Sequence, residues 1–384
     1  MPDAVSQSWC ALPWQGIVLQ PWGDVQVCCL VDSVRQSDIK NYLASAELQD
    51  LKDSMLAGER PAACNVCWKN ESQSLSSWRQ KKNLQLSSQL TAEQAGDRLF
   101  HRTDYIELYI SNKCNSKCRM CKPKWSTAWI PEYHDQEIKS IFGYSAELEK
   151  KVVRYNHLNI EQLDQLLDII NNKDEHTCIS LRGGEPCYAD ETMYLLSNIK
   201  DKSKVSLDLT TNGTILDADF LDLISQFNDI LLGVSIDASN GLNQYIRGNE
   251  TPVPKILENT KSFLKLDNVT QFFISNTIMI YNAFDNHKLK TECEKSLGFV
   301  PTYDDKVLYN PAHLKIHILP DYEKQLITHV PTAEAAHTGR EDAALLEKWF
   351  RFTERLDKLR GQDVSVSVPE LKTLYNHLEK SVHG

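Results

Sequence analysis

The chain has 384 residues, 41% of them apolar and 24% charged, a composition of ordinary folded proteins and a length that suits one large α/β domain with additions, or two domains. Its net charge of -10 and pI near 5.6 argue against non-specific binding to nucleic acid or to an anionic membrane, since either requires a basic face. No stretch approaches the ~18 uninterrupted apolar residues of a membrane helix. Met1 to Cys10 carries neither the basic segment nor the apolar run of a secretory signal, so a cytoplasmic location is expected.

Residues 1–100 read as a small module. Two short strands, Gly16 to Leu19 and Val25 to Cys28, flank a turn at Pro21 to Asp24, and polar helical sequence follows. So little strand cannot bury much surface unaided, and a metal or cluster is a plausible source of stability. From residue 104 short apolar strands alternate with amphipathic helices, the pattern of a mostly parallel sheet with crossover helices. The expected strands are Tyr105 to Ile110, Cys178 to Leu181, Val205 to Leu209, Leu231 to Ile236, Phe272 to Ile280 and Leu314 to Leu319. Helices are expected around Ile160 to Ile170, Asp217 to Phe227 and Pro254 to Leu266. Six successive parallel strands fit an α/β fold with an open or partial (β/α)6 barrel, whose chemistry sits on the loops after the strands' carboxyl ends. Ala343 to Leu359 reads as a terminal helix with Leu345, Leu346, Trp349, Phe350 and Leu356 inward, ended by Gly361. The expected division is 1–100 for the module, 101–325 for the barrel and 326–384 for a C-terminal helical extension.

Eleven cysteines, eight of them before residue 122 and in two groups, favour metal or cluster ligation over disulfides in a reducing compartment. In the later group Cys114, Cys118 and Cys121 are spaced C-x3-C-x2-C on the loop after the first barrel strand. Three thiolates leave one iron of a cubane cluster open to chelate a substrate or cofactor. On spacing alone a zinc site or incidental core cysteines remain alternatives.

This group resembles the signature of the radical S-adenosylmethionine (SAM) superfamily. The resemblance implies a [4Fe-4S] cluster with an open iron site that binds SAM, and reductive cleavage of SAM to methionine and a 5′-deoxyadenosyl radical. Met120 stands where the family usually has an aromatic residue against the adenine, and keeps an apolar contact there. Further segments occur in family order. Gly183-Gly184-Glu185-Pro186 resembles the GGEP loop at the SAM amino group; Thr211-Asn212-Gly213 resembles the segment facing the nucleoside; Ser235 and Arg247 resemble the pair that approaches the SAM ribose and carboxylate. Each alone is compatible with a plain turn or a surface charge.

The earlier group comprises Cys10, the Cys28-Cys29 pair, and Cys64 with Cys67. Structural zinc is one reading of this spacing. The group also resembles the SPASM or twitch module that holds an auxiliary [4Fe-4S] cluster, here placed before the barrel, with Cys10, Cys28, Cys64 and Cys67 as implied ligands and Cys29 as the alternative to Cys28. Cys178 reads as a packed core cysteine, Cys187 as a bystander beside the SAM loop, and Cys293 has no evident role. No acid, base or hydrogen donor acting on the substrate is identifiable.

By analogy with enzymes bearing such a module, the expected substrate is a peptide or protein, with a low-potential electron donor such as flavodoxin or ferredoxin. A small-molecule or nucleoside-type substrate is the second reading, and a non-catalytic zinc-binding protein the remote one.

Overall fold

A computed structural model describes residues 7–31, 38–248, 250–321 and 342–383; residues 326–341 of the expected C-terminal extension lie outside them. The chain divides into two compact units. One comprises Met1–Asn112, Asn156–Leu209 and Asp222–Ile230; the other Lys113–Tyr155, Thr210–Leu221 and Leu231–Gly384.

The fold is α/β, with eight mostly parallel strands among the described residues: β1 (Gly16–Leu19), β2 (Val25–Gln26), β3 (Tyr105–Tyr109), β4 (Thr177–Arg182), β5 (Val205–Thr211), β6 (Asp229–Ser235), β7 (Val269–Ile278) and β8 (Thr302–Val307). In the first unit the order is β2-β1-β3-β4-β5. β1 and β2 are antiparallel, whereas β1 lies parallel to β3 with Gly16 opposite Tyr105. Within this unit the sheet therefore runs without a break from β2 and β1 into β3, β4 and β5. In register, Tyr105, Cys178 and Ser206 share one face with Glu107, Ser180 and Asp208. The opposite face of these strands carries Ile106, Leu108, Ile179, Leu181, Leu207 and Leu209, all buried. The helix Ile160–Asn171, capped by Asn159, buries Leu163, Leu166, Leu167 and Ile170 at helical spacing.

In the second unit β7 and β8 pair in parallel, Phe273 opposite Thr302. The sixth expected strand is thus displaced. Leu314 to Leu319 is not a strand but two short turns, Ala312–Leu314 and Ile316–Ile318, in which Leu314, Ile316, Ile318 and Leu319 are all buried. Its apolar alternation serves burial of successive turns. The true strand, Thr302–Val307, has the sequence TYDDKV and is half-exposed or exposed at every position, so it lacks the apolar signal of a buried strand.

The helix Ala343–Arg360 forms as expected and ends at Gly361 in a left-handed conformation. Trp349, Phe350, Phe352 and Leu356 join Trp129, Ile138, Tyr245, Ile246 and Tyr281 in the apolar core of the second unit. No helix among the described residues is long and apolar enough to cross a membrane.

Candidate functional site

The second unit holds the later cysteine group. Cys118 is buried while Cys114 and Cys121 are half-buried. The loop is fixed through its backbone. Lys117 N donates to Arg247 O at 3.1 Å and Arg119 N to Ile246 O at 2.7 Å, so carbonyls at the C-terminal end of the helix Asn240–Arg247 hold it. Trp129 Nε1 donates to Cys118 O at 2.9 Å and Ser126 Oγ to Ser116 O at 2.6 Å. Trp129 and Tyr133, which follow the loop, are fully buried and serve packing. Met120 is partly buried against the same apolar core.

Arg247 and the Thr211-Asn212-Gly213 segment meet this loop. Arg247 Nη1 pairs with buried Asp237 at 2.7 Å. Burial works against the guanidinium charge, yet the negative charge of Cys118, Asp237 and Cys114 holds its pKa above the ordinary value. Conversely, burial pushes the Cys118 thiol up while Arg247 and Arg360 pull it down. Asn212 Nδ2 donates to Asn115 Oδ1 at 2.9 Å and to Ser116 Oγ at 3.3 Å. Gly213 has φ +67, and a Cβ there would lie 2.8 Å from Ile256 Cγ2, so the turn accepts only glycine without strain. Ser235 ends β6, half-buried.

The first unit carries the glycine loop. Gly183 has φ +73, and a Cβ would meet Tyr109 at 3.0 Å. Glu185 is buried and accepts from Cys187 N at 3.2 Å, closing the turn Pro186–Tyr188. Just before this loop Arg182 pairs with Asp208 at 2.6 Å, and Glu107 accepts from Tyr109 Oη at 2.9 Å. Cys178, read from the sequence as a packed core cysteine, is half-buried on this polar face, where strand alternation places it in line with Tyr105 and Ser206.

The earlier cysteine group also lies in the first unit. Cys10, Cys28, Cys64 and Cys67 line one pocket with Leu12, Val27, Met55, Trp78 and Arg79; Cys29 is not among its lining residues. β2 ends at Gln26, so a turn, and not strand alternation, separates the two neighbouring thiols. Burial pushes Cys10 up to about 12 and Cys64 up to about 11, and the nearby thiols add to this, whereas Arg79 opposes it. Arg79 is held by Glu71 at 2.8 Å and by Trp9 O at 2.7 Å. Among the described residues no three His, Cys, Asp or Glu side chains converge closely enough to hold a single metal ion.

Sequence reasoning missed Asp237, Asn115, Ser116, Glu132, Asp357 and Arg360, which hold the later cysteine loop and its neighbours. Asn115 and Ser116 had a local signal in their position between two of the cysteines, and Asp237 in following Ser235 by two residues; Glu132, Asp357 and Arg360 had none.

The model of the radical SAM superfamily matches residues 108–288, just under half of the chain. A GTP 3′,8-cyclase of Aliarcobacter butzleri (strain RM4018) is 20% identical over 122 residues, and one of Campylobacter curvus (strain 525.92) is 26% identical over 121; each match covers 31% of this chain and 30% of the relative. The chain thus spans less than a third of the length of these curated relatives. Among solved structures, native anSMEcpe with bound AdoMet is 18% identical, with 67% of this chain and 62% of that one covered and a TM-score of 0.38. Streptococcus suis SuiB bound to precursor peptide SuiA is 12% identical, covering 96% and 74%, with a TM-score of 0.32.

Proposed function

With residues 108–288 matching the radical SAM superfamily and the chain an enzyme of that class, we propose that strands β3 to β8 build a partial (β/α)6 barrel with a cluster loop and a SAM site, that the earlier cysteine group is an auxiliary iron–sulfur site, and that the substrate is a peptide or protein. The family's cofactors are a [4Fe-4S] cluster and SAM. Cys114, Cys118 and Cys121 would hold the cluster, and the donor set fits: three thiols on one loop, with cationic Arg247 beside them. When bound, the pair supplies reductive cleavage of SAM and the 5′-deoxyadenosyl radical that takes hydrogen from the substrate. Met120, Gly183, Gly184, Glu185, Thr211, Asn212, Ser235 and Arg247 would bind and orient SAM, with Asp237 fixing the Arg247 fork for a carboxylate.

One observation carries the auxiliary site. Cys10, Cys28, Cys64 and Cys67, drawn from three separate stretches of the first 67 residues, line a single pocket. Four thiols on one pocket are the number that saturates a cubane cluster, and the same four would also satisfy a structural zinc ion, so the iron and zinc assay below separates the two. Enzymes with such modules commonly act on peptides, and this supports the substrate class by analogy. The nucleotide named in both curated relatives supports the second reading, a small-molecule or nucleoside-type substrate.

The test is anaerobic reconstitution with iron and zinc quantified, then dithionite-driven formation of 5′-deoxyadenosine from SAM. About eight irons, with cleavage lost in Cys118→Ala, supports both clusters. Zinc without iron and no cleavage would sink the reading. A mass change in candidate peptides, against product formation from GTP, separates the two substrate classes.

A further inference from the structure

The cysteine loop of the second unit is held from the far end of the chain. Arg360, the last residue of the helix Ala343–Arg360, has a side chain only 3% exposed. Its Nη2 donates to Lys117 O at 2.8 Å and to Glu132 Oε2 at 2.7 Å. The Lys117 ammonium binds the same carboxylate. Two cations therefore share one anion, leaving surplus positive charge against the loop, one residue from Cys118.

Two guanidinium N–H groups around this loop, Arg247 Nε and Arg360 Nη1, are buried and have no hydrogen-bond partner among the described residues. Buried donors are seldom left so. Arg247 and Arg360 both favour a negative charge on Cys118, so a thiolate there faces two cations.

We propose that Arg360 is a positioning residue of the iron–sulfur site, fastening the loop backbone at Lys117 and providing surplus buried positive charge that raises the cluster's reduction potential. This rests on the reading that Cys114, Cys118 and Cys121 hold a [4Fe-4S] cluster. Such a cluster gains negative charge on reduction, and net charge and hydrogen bonding are among the factors that set its potential. The cation therefore favours the reduced form. Glu132 acts in the opposite sense.

The experiment is an anaerobic redox titration followed by electron paramagnetic resonance, on reconstituted wild type, Arg360→Gln, Arg360→Lys and Glu132→Gln, with iron counted in each. Arg360→Gln is expected to lower the reduced-to-oxidised ratio at a fixed potential by about tenfold, equivalent to about 59 mV for a one-electron couple. Arg360→Lys, which keeps the charge, stays near wild type, and Glu132→Gln shifts the potential upward. Should Arg360→Gln fail to fold, Arg360→Lys and Glu132→Gln decide. Potentials that stay together, or shift in one direction for both charge-removing variants, overturn the proposal. A wild type without a cluster on these cysteines overturns the underlying reading instead.

Discussion

Arg119 and Asp357 are paired in the interior of the second unit although 238 positions separate them. The Arg119 guanidinium also lies 3.6 Å from the centre of the Tyr245 ring and donates from Nε to Tyr245 O at 3.0 Å. Asp357 in turn accepts from Val364 N at 2.7 Å and from Tyr245 Oη at 3.2 Å. One carboxylate thus ties the cysteine loop to the last third of the chain.

Replacing Asp357 by alanine strands a buried cation, which costs about 3–5 kcal/mol. Arg351→Ala, which removes a half-exposed pair with Glu347, is expected to stay within about 0.5 kcal/mol. Denaturant unfolding of the two variants measures the contrast, and equal losses would show that the Arg119–Asp357 pair is not the tie described.

The two cysteine groups are expected to separate in an iron assay. Ala at Cys114, Cys118 or Cys121 abolishes 5′-deoxyadenosine formation. Ala at Cys10, Cys28, Cys64 or Cys67 lowers bound iron by about four per chain, and Cys29→Ala leaves the iron content unchanged. Loss of iron in Cys29→Ala with retention in Cys28→Ala would exchange their roles.

Gly213→Ala forces a side chain into a left-handed conformation and toward Ile256. A cost of about 1–2 kcal/mol is expected from the backbone alone, together with weaker SAM binding because the neighbouring Asn212 is carried with the turn. Calorimetric titration with SAM and thermal unfolding report the two effects separately; an unchanged melting temperature contradicts the steric argument.

Burial, reinforced by Lys348 and Lys122, holds the His313 imidazole down to about 3, from an ordinary value of 6.5. With the folded value below the unfolded one, the unfolded chain takes up the proton first. The stability from the neutral ring is full above about pH 6.5 and is lost as pH falls toward about 3, at no more than about 1.4 kcal/mol per pH unit. His313→Asn should flatten the acid limb of the stability profile. Parallel acid limbs for variant and wild type would assign the loss to other groups.

The strands with apolar alternation were legible in the sequence because buried parallel strands carry that signal on their faces, as Ile106, Leu108 and Ile110 do. Thr302–Val307 was not, because half-exposed Asp304 and Asp305 and exposed Lys306 give up apolar character. The cysteines of the later group announced themselves by local spacing. The charges around them did not, since the pairing of Arg119 with Asp357 and of Arg360 with Glu132 joins positions more than two hundred residues apart. Cys178 was read as a packed core cysteine because it lies in an apolar strand, but which face of that strand it takes follows from the register with Tyr105 and Ser206, which the sequence does not display.

The parallel pairing of β1 with β3 also orders events during synthesis. Gly16 to Leu19 leaves the ribosome long before Tyr105 to Leu108, the segment it must lie against. At about 5–20 residues per second, β1 waits on the order of ten seconds with an unsatisfied edge. Its neighbour β2 offers only two paired positions meanwhile. A chain arrested before residue 105 lacks β3, the strand with which β1 pairs in parallel, and leaves that edge of β1 without its partner.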